Sequence, residues 1–133
     1  MKLSVALSLG LAALPELASA SFASTCRNWY WITPNFLVAE CKKANQVDWL
    51  RTRQDMNLCI GRSNDAIVSQ NVGNAFVSST KVCAYNSLTG TVLTALCNYP
   101  NPLGFYASSL DLDTFVHNNN GYLQCHGHLG APY

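Results

Sequence analysis

The hydrophobic and polar positions of this chain alternate over short runs, a pattern that indicates β-strands rather than helices. Residues 27–41, RNWYWITPNFLVAEC, are rich in aromatic and branched side chains, and Thr33-Pro34-Asn35 interrupts them at a predicted turn. Residues 84–97, AYNSLTGTVLTALC, turn at Thr89-Gly90 and then alternate between two faces. The pattern therefore predicts an all-β protein built from hairpins.

A run of asparagines marks a second kind of predicted turn. Residues 118–121, Asn-Asn-Asn-Gly, lie between short apolar runs at 115–116 and 122–123, and these residue types tolerate a positive φ. In an earlier segment, DMNLCIGRSNDAIV, residues 62–65 occupy the same place without the glycine. Most asparagine-rich turns bind nothing, so a purely structural turn is one interpretation and a ligand-binding turn is the other.

The two turn segments belong to an internal repeat. Shifting the chain by 56 positions aligns Leu37/Leu93, Ala39/Ala95, Cys41/Cys97, Asp55/Asp111, Met56/Leu112, Ile60/Val116 and Ile67/Leu123. Cys26 aligns with Cys83 when one residue is allowed for in the loop after Trp29. We predict a single domain over residues 21–126, with repeat one at about 22–69 and repeat two at about 76–125, followed by a C-terminal tail at 127–133. Two copies are too few for an open solenoid, so we expect a closed or interlocked pair.

Residues 1–20, MKLSVALSLGLAALPELASA, have the features of a secretory signal peptide. Lys2 precedes an apolar run, and Ala18-Ser19-Ala20 supplies small residues at the cleavage site. The apolar run is shorter than the about 20 residues that cross a bilayer. We therefore expect a secreted, extracellular protein that does not insert into a membrane.

The cysteine content predicts disulfides, and the net charge gives no reason to expect an anionic partner. All six cysteines follow the predicted signal peptide, and an even number in a secreted chain predicts three disulfides without fixing the pairing. The pairs 26/41 and 83/97 bracket the two predicted hairpins, where a cross-strand bond is geometrically easy. The formal net charge is +1 with no run of either sign, so nothing in the charge points to nucleic acid or an anionic membrane as the partner.

Three motifs in this order resemble the cyanovirin-N homology family of lectins. They are F-x-x-x-C at residues 22–26, L-x-A-x-C at 37–41, and L-D-L-x-x-x-V-x-N-x-N-G-x-L at 110–123. The resemblance covers residues 21–126 and suggests a member of the type secreted by fungi. It implies a cyanovirin-N-like fold of two pseudo-symmetric, interlocked lobes, each a three-stranded antiparallel sheet plus a β-hairpin. One lobe would combine residues 21–59 with the hairpin from 116 onward, and the other would hold residues 60–115.

This exchanged arrangement implies a third disulfide. Cys59 and Cys125 have no counterpart in the other repeat, and both would lie in the first lobe. We expect a Cys59–Cys125 bond, with two free thiols or an intermolecular bond as the alternatives. A bond here would oppose dimerisation by strand swapping, so a monomer is expected and a swapped dimer is the alternative.

The resemblance also implies two sugar-binding pockets and a non-enzymatic lectin whose partners are oligosaccharides or glycoproteins. High-mannose glycans are the best-known ligands of the family, and neither a cofactor nor a metal is implied. The first-lobe pocket would be formed by Ser24, Thr25, Lys42, Ala44, Asn118, Asn119 and Asn120. The second-lobe pocket would be formed by Arg62, Ser63, Asn64, Ser78, Lys81, Asn98 and Tyr99. The family commonly has an acidic residue where Lys42 and Asn120 stand, and the second pocket departs further, so the first is the expected site.

Several aromatic and histidine residues have two interpretations each. Trp29 and Trp31 face the same side of a strand and either fill a core or stack on a sugar; core filling is expected. Trp49 lies in a polar stretch and is the better candidate for an exposed ligand contact. His126 and His128 suggest a metal site, but such a site needs three or four ligands and a disulfide-bonded Cys125 supplies none, so a loose tail is expected.

Two further classes of function remain open. A secreted interaction protein could keep the scaffold and lose sugar binding, which the departures in the second pocket favour. A small hydrolase or ribonuclease could use Glu40, His117 and an arginine. Asp111 and Asp113 could form a catalytic carboxylate pair, although the LDLD motif fits a turn and cap better. The lectin is the leading hypothesis.

Overall fold

A computed structural model describes residues 21–63, 66–76, 83–98 and 104–133. The predicted signal peptide, residues 1–20, lies outside the described residues. Strands, turns and two short 3-10 helices make up the described part of the chain. The prediction of an all-β protein is therefore confirmed.

The first sheet is antiparallel and has the strand order β1-β2-β3-β12. Its strands are β1 (Cys26–Ile32), β2 (Phe36–Lys42), β3 (Trp49–Asp55) and β12 (Ala131–Pro132). Alternation along β2 directs Leu37, Ala39 and Cys41 into the core, and on the opposite face Val38 is also buried while Glu40 and Lys42 are partly exposed. The predicted turn at Pro34 joins β1 to β2.

The second sheet repeats the first in the order β6-β7-β8. Its strands are β6 (Cys83–Thr89), β7 (Val92–Asn98) and β8 (Phe105–Asp111). In both sheets the first strand has a register irregularity after its cysteine, and Asn28 and Tyr85 adopt positive φ there (54° and 55°). The two repeats thus share a β-bulge as well as a hydrophobic pattern.

Each sheet is completed by a hairpin from the other repeat. Strands β4 (Ile60–Ser63) and β5 (Ala66–Ser69) pack beside β8, where Ile67 N donates to Ser108 Oγ over 2.9 Å. Strands β9 (His117–Asn119), β10 (Tyr122–Cys125) and β11 (His128–Leu129) lie beside β3, where Leu123 N donates to Thr52 Oγ1 over 3.3 Å. The interlocked arrangement of two lobes implied by the sequence resemblance is confirmed.

The carboxylate pair of the LDLD motif accepts hydrogen bonds from backbone N–H groups and from hydroxyls. The side chain of Asp111 accepts from Asp113 N and caps the 3-10 helix Leu112–Thr114, as Asp55 caps Met56–Leu58 by accepting from Asn57 N. Asp113 accepts hydrogen bonds from the hydroxyl of Ser21 and from Ala23 N. Both carboxylates are thus engaged in holding turns and the N-terminal segment.

Three disulfides close the two lobes, and they are the pairs expected from the sequence. Cys26–Cys41 and Cys83–Cys97 cross the two hairpins with separations of 15 and 14 residues. Cys59–Cys125 spans 66 residues and ties the exchanged hairpin to the first lobe. All six cysteines are buried, and Phe22, Met56, Leu112 and Val116 pack with them in one core.

The C-terminal segment is ordered against the first sheet, so the expectation of a loose tail was wrong. Gly130 N donates to Leu123 O over 2.7 Å, Tyr133 N donates to Arg51 O over 2.9 Å, and the buried Gln54 Nε2 donates to His128 O over 2.6 Å. The physical reason is the free edge of β3 and the buried amide beneath it, both of which need partners. The tail supplies them by forming β11 and β12.

The two lobes are also joined by a pair of reciprocal hydrogen bonds. Trp29 Nε1 donates to Gly90 O over 2.8 Å, and Asn86 Nδ2 donates to Pro34 O over 2.9 Å. Trp29 and Asn86 are equivalent positions of the repeat, as are Gly90 and Pro34. Trp29 meets Phe22 edge to face, and Trp31 meets Phe76 in the same way, so both tryptophans fill space between packed elements as expected.

Candidate functional site: a depression at the Asn118–Gly121 turn

A shallow depression of about 160 Å³ lies where the turn between β9 and β10 meets the segment after β2. Its walls are formed by Thr25, Lys42, Lys43, Ala44, Gln46, Asn118 and Asn120. The turn of one repeat therefore meets residues beside the cysteines of the other. Only the exchange of hairpins between the lobes produces this meeting.

Asn118 acts as the internal brace of the depression. Its Nδ2 donates to Lys42 O over 2.8 Å and to Thr25 Oγ1 over 3.0 Å, and its Oδ1 accepts from Gly121 N over 2.8 Å. Both ends of the amide are thus occupied by the protein. Asn118 fixes the turn against the rest of the lobe and has little left to offer a ligand.

Asn120 presents a free donor at the rim. Its backbone is left-handed, with φ of 52°, and its Oδ1 accepts from Ala44 N over 2.9 Å. Asn120 is exposed, and its Nδ2 has no partner among the described residues, so two N–H groups are available to a ligand. The next residue, Gly121, has φ of 94°, and a Cβ there would lie 3.2 Å from Leu50 Cβ. The glycine lets the turn close down on the loop beneath it.

The remaining groups of the depression are mostly hydrogen-bond donors. Thr25 contributes a hydroxyl group, Gln46 a side-chain amide, and Lys42 and Lys43 ammonium groups. The backbone of Gln46 is left-handed, with φ of 64°. Lys42 Nζ lies 5.1 Å from the centre of the Trp49 ring, and the Arg27 guanidinium carbon lies 3.8 Å from it. Trp49 is 36% exposed and connects the depression to the outer surface of the first sheet.

The structure assembles most, but not all, of the predicted first-lobe residues. Ser24 is exposed and donates to Ser21 O, and Asn119 points to Gln124, so neither lines the depression. Lys43 and Gln46 were missed by the sequence interpretation. They line it because the loop after β2 turns back on itself, with Gln46 N donating to Lys43 O over 2.9 Å. A turn of this kind has no glycine or proline to signal it.

The described part of the predicted second-lobe pocket is differently built. Arg62 Nη1 donates to Asn98 Oδ1 over 2.8 Å, and Ser63 lies exposed in β4. Arg62 and Asn98 are the repeat equivalents of Asn118 and Lys42. The other predicted members, Asn64, Ser78, Lys81 and Tyr99, lie outside the described residues.

The residues considered for catalysis are held apart in different contacts. Glu40 accepts from Arg27 Nε over 3.0 Å and from Asn28 Nδ2, and these hydrogen bonds lower the pKa of its carboxyl. Burial lowers the pKa of His117, with a smaller effect from the charge of His126. Among the described residues no hydrogen bond or ion pair joins Glu40 to His117. These two side chains therefore do not form a hydrogen-bonded acid and base pair in the described part of the chain.

The histidines near the C-terminus contact hydroxyl and amide groups. His126 Nε2 lies 2.6 Å from Ser69 Oγ, and His128 Nε2 lies 2.7 Å from Asn71 Oδ1. In the described ranges there is no group of three histidine, cysteine or acidic residues that could hold a metal ion. Nor does this part of the chain contain a helix long and apolar enough to cross a membrane.

Three solved structures share the fold over about four fifths of the chain. A designed cyanovirin-N homolog lectin is 21% identical, with a TM-score of 0.66, and the match covers 80% of this chain and 99% of that one. A variant of MoCVNH3 in complex with (N-GlcNAc)4 is 16% identical, with a TM-score of 0.65 and coverage of 80% and 98%. A complex of microvirin with mannobiose is 21% identical, with a TM-score of 0.59 and coverage of 79% and 97%.

Comparison with curated protein sequences gives no match to this chain. The family model of the CVNH domain, in contrast, matches residues 22–124, from the buried Phe22 to the residue before the last cysteine. That span contains strands β1 to β9, most of β10 and the turn that braces the depression. The chain therefore belongs to the cyanovirin-N homology family.

Proposed function

We propose that this protein is a secreted, non-catalytic lectin that binds neutral sugar residues, including mannose-containing ones, in the depression at the Asn118–Gly121 turn. The observation that supports the proposal is that two asparagines of that turn have different hydrogen-bonding roles. Asn118 is fully used in bracing the wall, while Asn120 Nδ2 is left without a partner among the described residues. Preorganised donors at a shallow opening suit the hydroxyl groups of a sugar.

The relatives support a carbohydrate as the ligand class. One related structure is that of a lectin, and two others hold mannobiose and (N-GlcNAc)4. The absence of a cooperating acid and base among the described residues supports binding without catalysis. Secretion is supported by the sequence of residues 1–20 and by the disulfides, which persist in oxidising compartments.

The test compares two neighbouring asparagines of the same turn. Asn120→Gly keeps the left-handed backbone accessible and removes the free amide, whereas Asn119→Ala removes an amide that points away from the depression. Binding of mannobiose and chitotetraose to the oxidised mature protein is measured by calorimetry. We expect Asn120→Gly to weaken binding about fivefold, since a hydrogen bond is worth about 1 kcal/mol, and Asn119→Ala to leave it unchanged.

An unchanged affinity in Asn120→Gly, with intact disulfides and an unaltered NMR spectrum, would overturn the assignment of the site. If the unmodified protein binds no neutral glycan on an array, the lectin proposal fails. A secreted interaction protein on the same scaffold then becomes the leading function. The bond between Arg62 and Asn98, which occupies two residues of the second-lobe site, already favours that reading for the second lobe.

A further inference from the structure

The outer face of the first sheet is the side of β1, β2 and β3 that points away from the core. Cross-strand registers place its residues in rows, with Tyr30, Val38 and Arg53 in one row and Arg27, Glu40 and Arg51 in the next. The last row contains Lys42 and Trp49. Four cations therefore share one face of a sheet in a protein whose formal net charge is only +1.

Aromatic rings, rather than carboxylates, hold most of these cations. Arg27 lies over Trp49 at 3.8 Å, and Lys42 lies 5.1 Å from the same ring. Arg53 lies 4.6 Å from Phe36 and 5.1 Å from Tyr133. Stacking of this kind holds a cation in place without a neutralising carboxylate, and Arg27 is the stacked cation that also pairs with one, Glu40.

Acidic groups neutralise little of this face. The salt bridge between Arg27 and Glu40 is the one ion pair within the described ranges. Asp55, at the end of β3, turns toward Asn35 and Asn57 N instead. Lys42, Arg51 and Arg53 have no carboxylate within ion-pair distance in this part of the chain. A positive potential therefore remains at the surface, and an anionic ligand would complement it.

The position of Lys42 indicates which kind of anionic ligand the outer face would bind. Lys42 lines the depression and also lies beside Trp49 on the outer face, so the two surfaces are continuous. Arg27 and Arg51 are separated by one intervening strand, which places their backbones about 10 Å apart. Cations at this spacing suit a chain with repeated anionic groups better than a single small anion. Arginine forks in particular match carboxylates.

We propose that the outer face of the first sheet binds the carboxylate groups of an acidic, uronate-bearing oligosaccharide whose neighbouring sugar residue occupies the depression. The inference rests on the proposed function for the sugar in the depression and names the class of glycan that the lobe selects. The depression supplies contacts to hydroxyl groups. The outer face supplies the preference for acidic chains.

The experiment compares an oligogalacturonide with the same oligomer after its carboxyl groups have been reduced to alcohols. Both ligands have the same length and linkage, so only the charge differs. We expect the acidic oligomer to bind the mature protein at least about tenfold more tightly at 50 mM salt, and the difference to shrink at 200 mM. Equal affinity for the two oligomers would overturn the proposal.

Variants separate the outer face from the depression. Arg27→Gln/Arg51→Gln should lower the affinity for the acidic oligomer about tenfold and leave the reduced oligomer unaffected. Arg27→Lys/Arg51→Lys keeps both positive charges and is the matched control, which should retain most of the preference for the acidic oligomer. Asn120→Gly should weaken both oligomers equally, because it acts on the depression alone. An Arg27→Gln/Arg51→Gln variant that still prefers the acidic oligomer, with its fold verified by NMR, would contradict the assignment.

A final arm distinguishes a glycan from an acidic protein surface. Poly-glutamate presents carboxylates on a peptide backbone and cannot place a sugar in the depression. Weaker binding of poly-glutamate than of the oligogalacturonide, at equal length, is the expected result. Equal binding of the two polymers would show that charge alone is recognised, and would overturn the choice of a glycan.

Discussion

The outer faces of the two sheets have the same register and opposite character. The row Arg27, Glu40, Arg51 in the first sheet corresponds to Ala84, Leu96, Ala107 in the second, and Tyr30, Val38, Arg53 corresponds to Ser87, Thr94, Ser109. The cationic face of one lobe is thus an uncharged face in the other, where small and hydroxyl residues lie beside Leu96 and the exposed Phe105. The scaffold tolerates either set.

The inward faces of the same strands differ far less. Leu37, Ala39 and Cys41 correspond to Leu93, Ala95 and Cys97, and all six are fully buried. A core side chain must fit its neighbours to within about a methylene, whereas an outward residue need only keep the strand extended. Core positions therefore carry the same residues in both repeats because the fold requires them, whereas outward positions differ between the lobes.

The braced turns show the same divergence at a single pair of positions. In the first lobe Asn118 reaches the backbone of Lys42, and in the second Arg62 reaches the side chain of Asn98. A bond to backbone leaves the Lys42 side chain available to a ligand. A bond to a side chain occupies both partners.

Removal of the Cys59–Cys125 disulfide, which has no counterpart in the second lobe, should lower the free energy of unfolding more than any other change proposed below. The bond closes a loop of 66 residues, against 14 for Cys83–Cys97. Loop entropy predicts losses of about 4 and about 3 kcal/mol in unfolding free energy for the two double Cys→Ala variants. Urea denaturation measures both, and a smaller loss for Cys59→Ala/Cys125→Ala would contradict the expected order.

The same pair of variants tests strand exchange. Cys125 lies in the hairpin that the first lobe receives, so its disulfide opposes swapping between two molecules. Light scattering after refolding should show dimers for Cys59→Ala/Cys125→Ala only. Dimers in both variants would mean that the lobes do not differ in this respect.

Deletion of residues 127–133 should have the next largest effect, and only in the first lobe. It removes the N–H donors of Gly130 and Tyr133, which leaves Leu123 O and Arg51 O without those bonds, and it removes an acceptor of the buried Gln54 amide, for an expected loss of about 2 kcal/mol. Hydrogen exchange should accelerate in β3 and stay unchanged in β8. Deletion of Tyr133 alone is the matched control, since it removes one hydrogen bond, and uniform acceleration in both sheets would argue against a lobe-specific role.

Titration of His117 should give the smallest difference between the lobes, since its repeat equivalent is Gly61. Burial lowers its pKa in the folded protein, so below about pH 6.5 the unfolded chain binds the proton more readily and stability falls. His117→Gln should make the decline in unfolding free energy between pH 7.5 and about 5.5 shallower, as measured by urea denaturation. An identical decline in the variant and the unmodified protein would show that burial of His117 has no such effect.

Sequence periodicity was sufficient for the strands and for their grouping into two copies. The alternation in residues 84–97 and the offset between the copies follow from which side chains must be buried, and burial leaves a signal in sequence. The turn at residues 118–121 was equally readable, because asparagine and glycine accept the positive φ found at Asn120 and Gly121. The C-terminal strands were missed, since two-residue strands are too short for any period to show.

The site could be predicted only in part. The sequence resemblance indicated Thr25, Lys42 and Asn118, but Lys43 and Gln46 enter the depression through the path of one loop. The resemblance also could not distinguish the role of Asn118, which braces the wall, from that of Asn120, which offers its amide to a ligand. Two asparagines of one turn acquire different roles from partners that lie 76 residues away in the chain.

The sequence by itself determined the all-β class, the two repeats and the pattern of core positions, because each depends on local periodicity and on composition. Only the tertiary structure decided that a turn from one repeat closes on the other and that four cations share a face with the rings that hold them. These juxtapositions depend on strand exchange and cross-strand register. Both are properties of contacts between distant residues, and no local pattern encodes them.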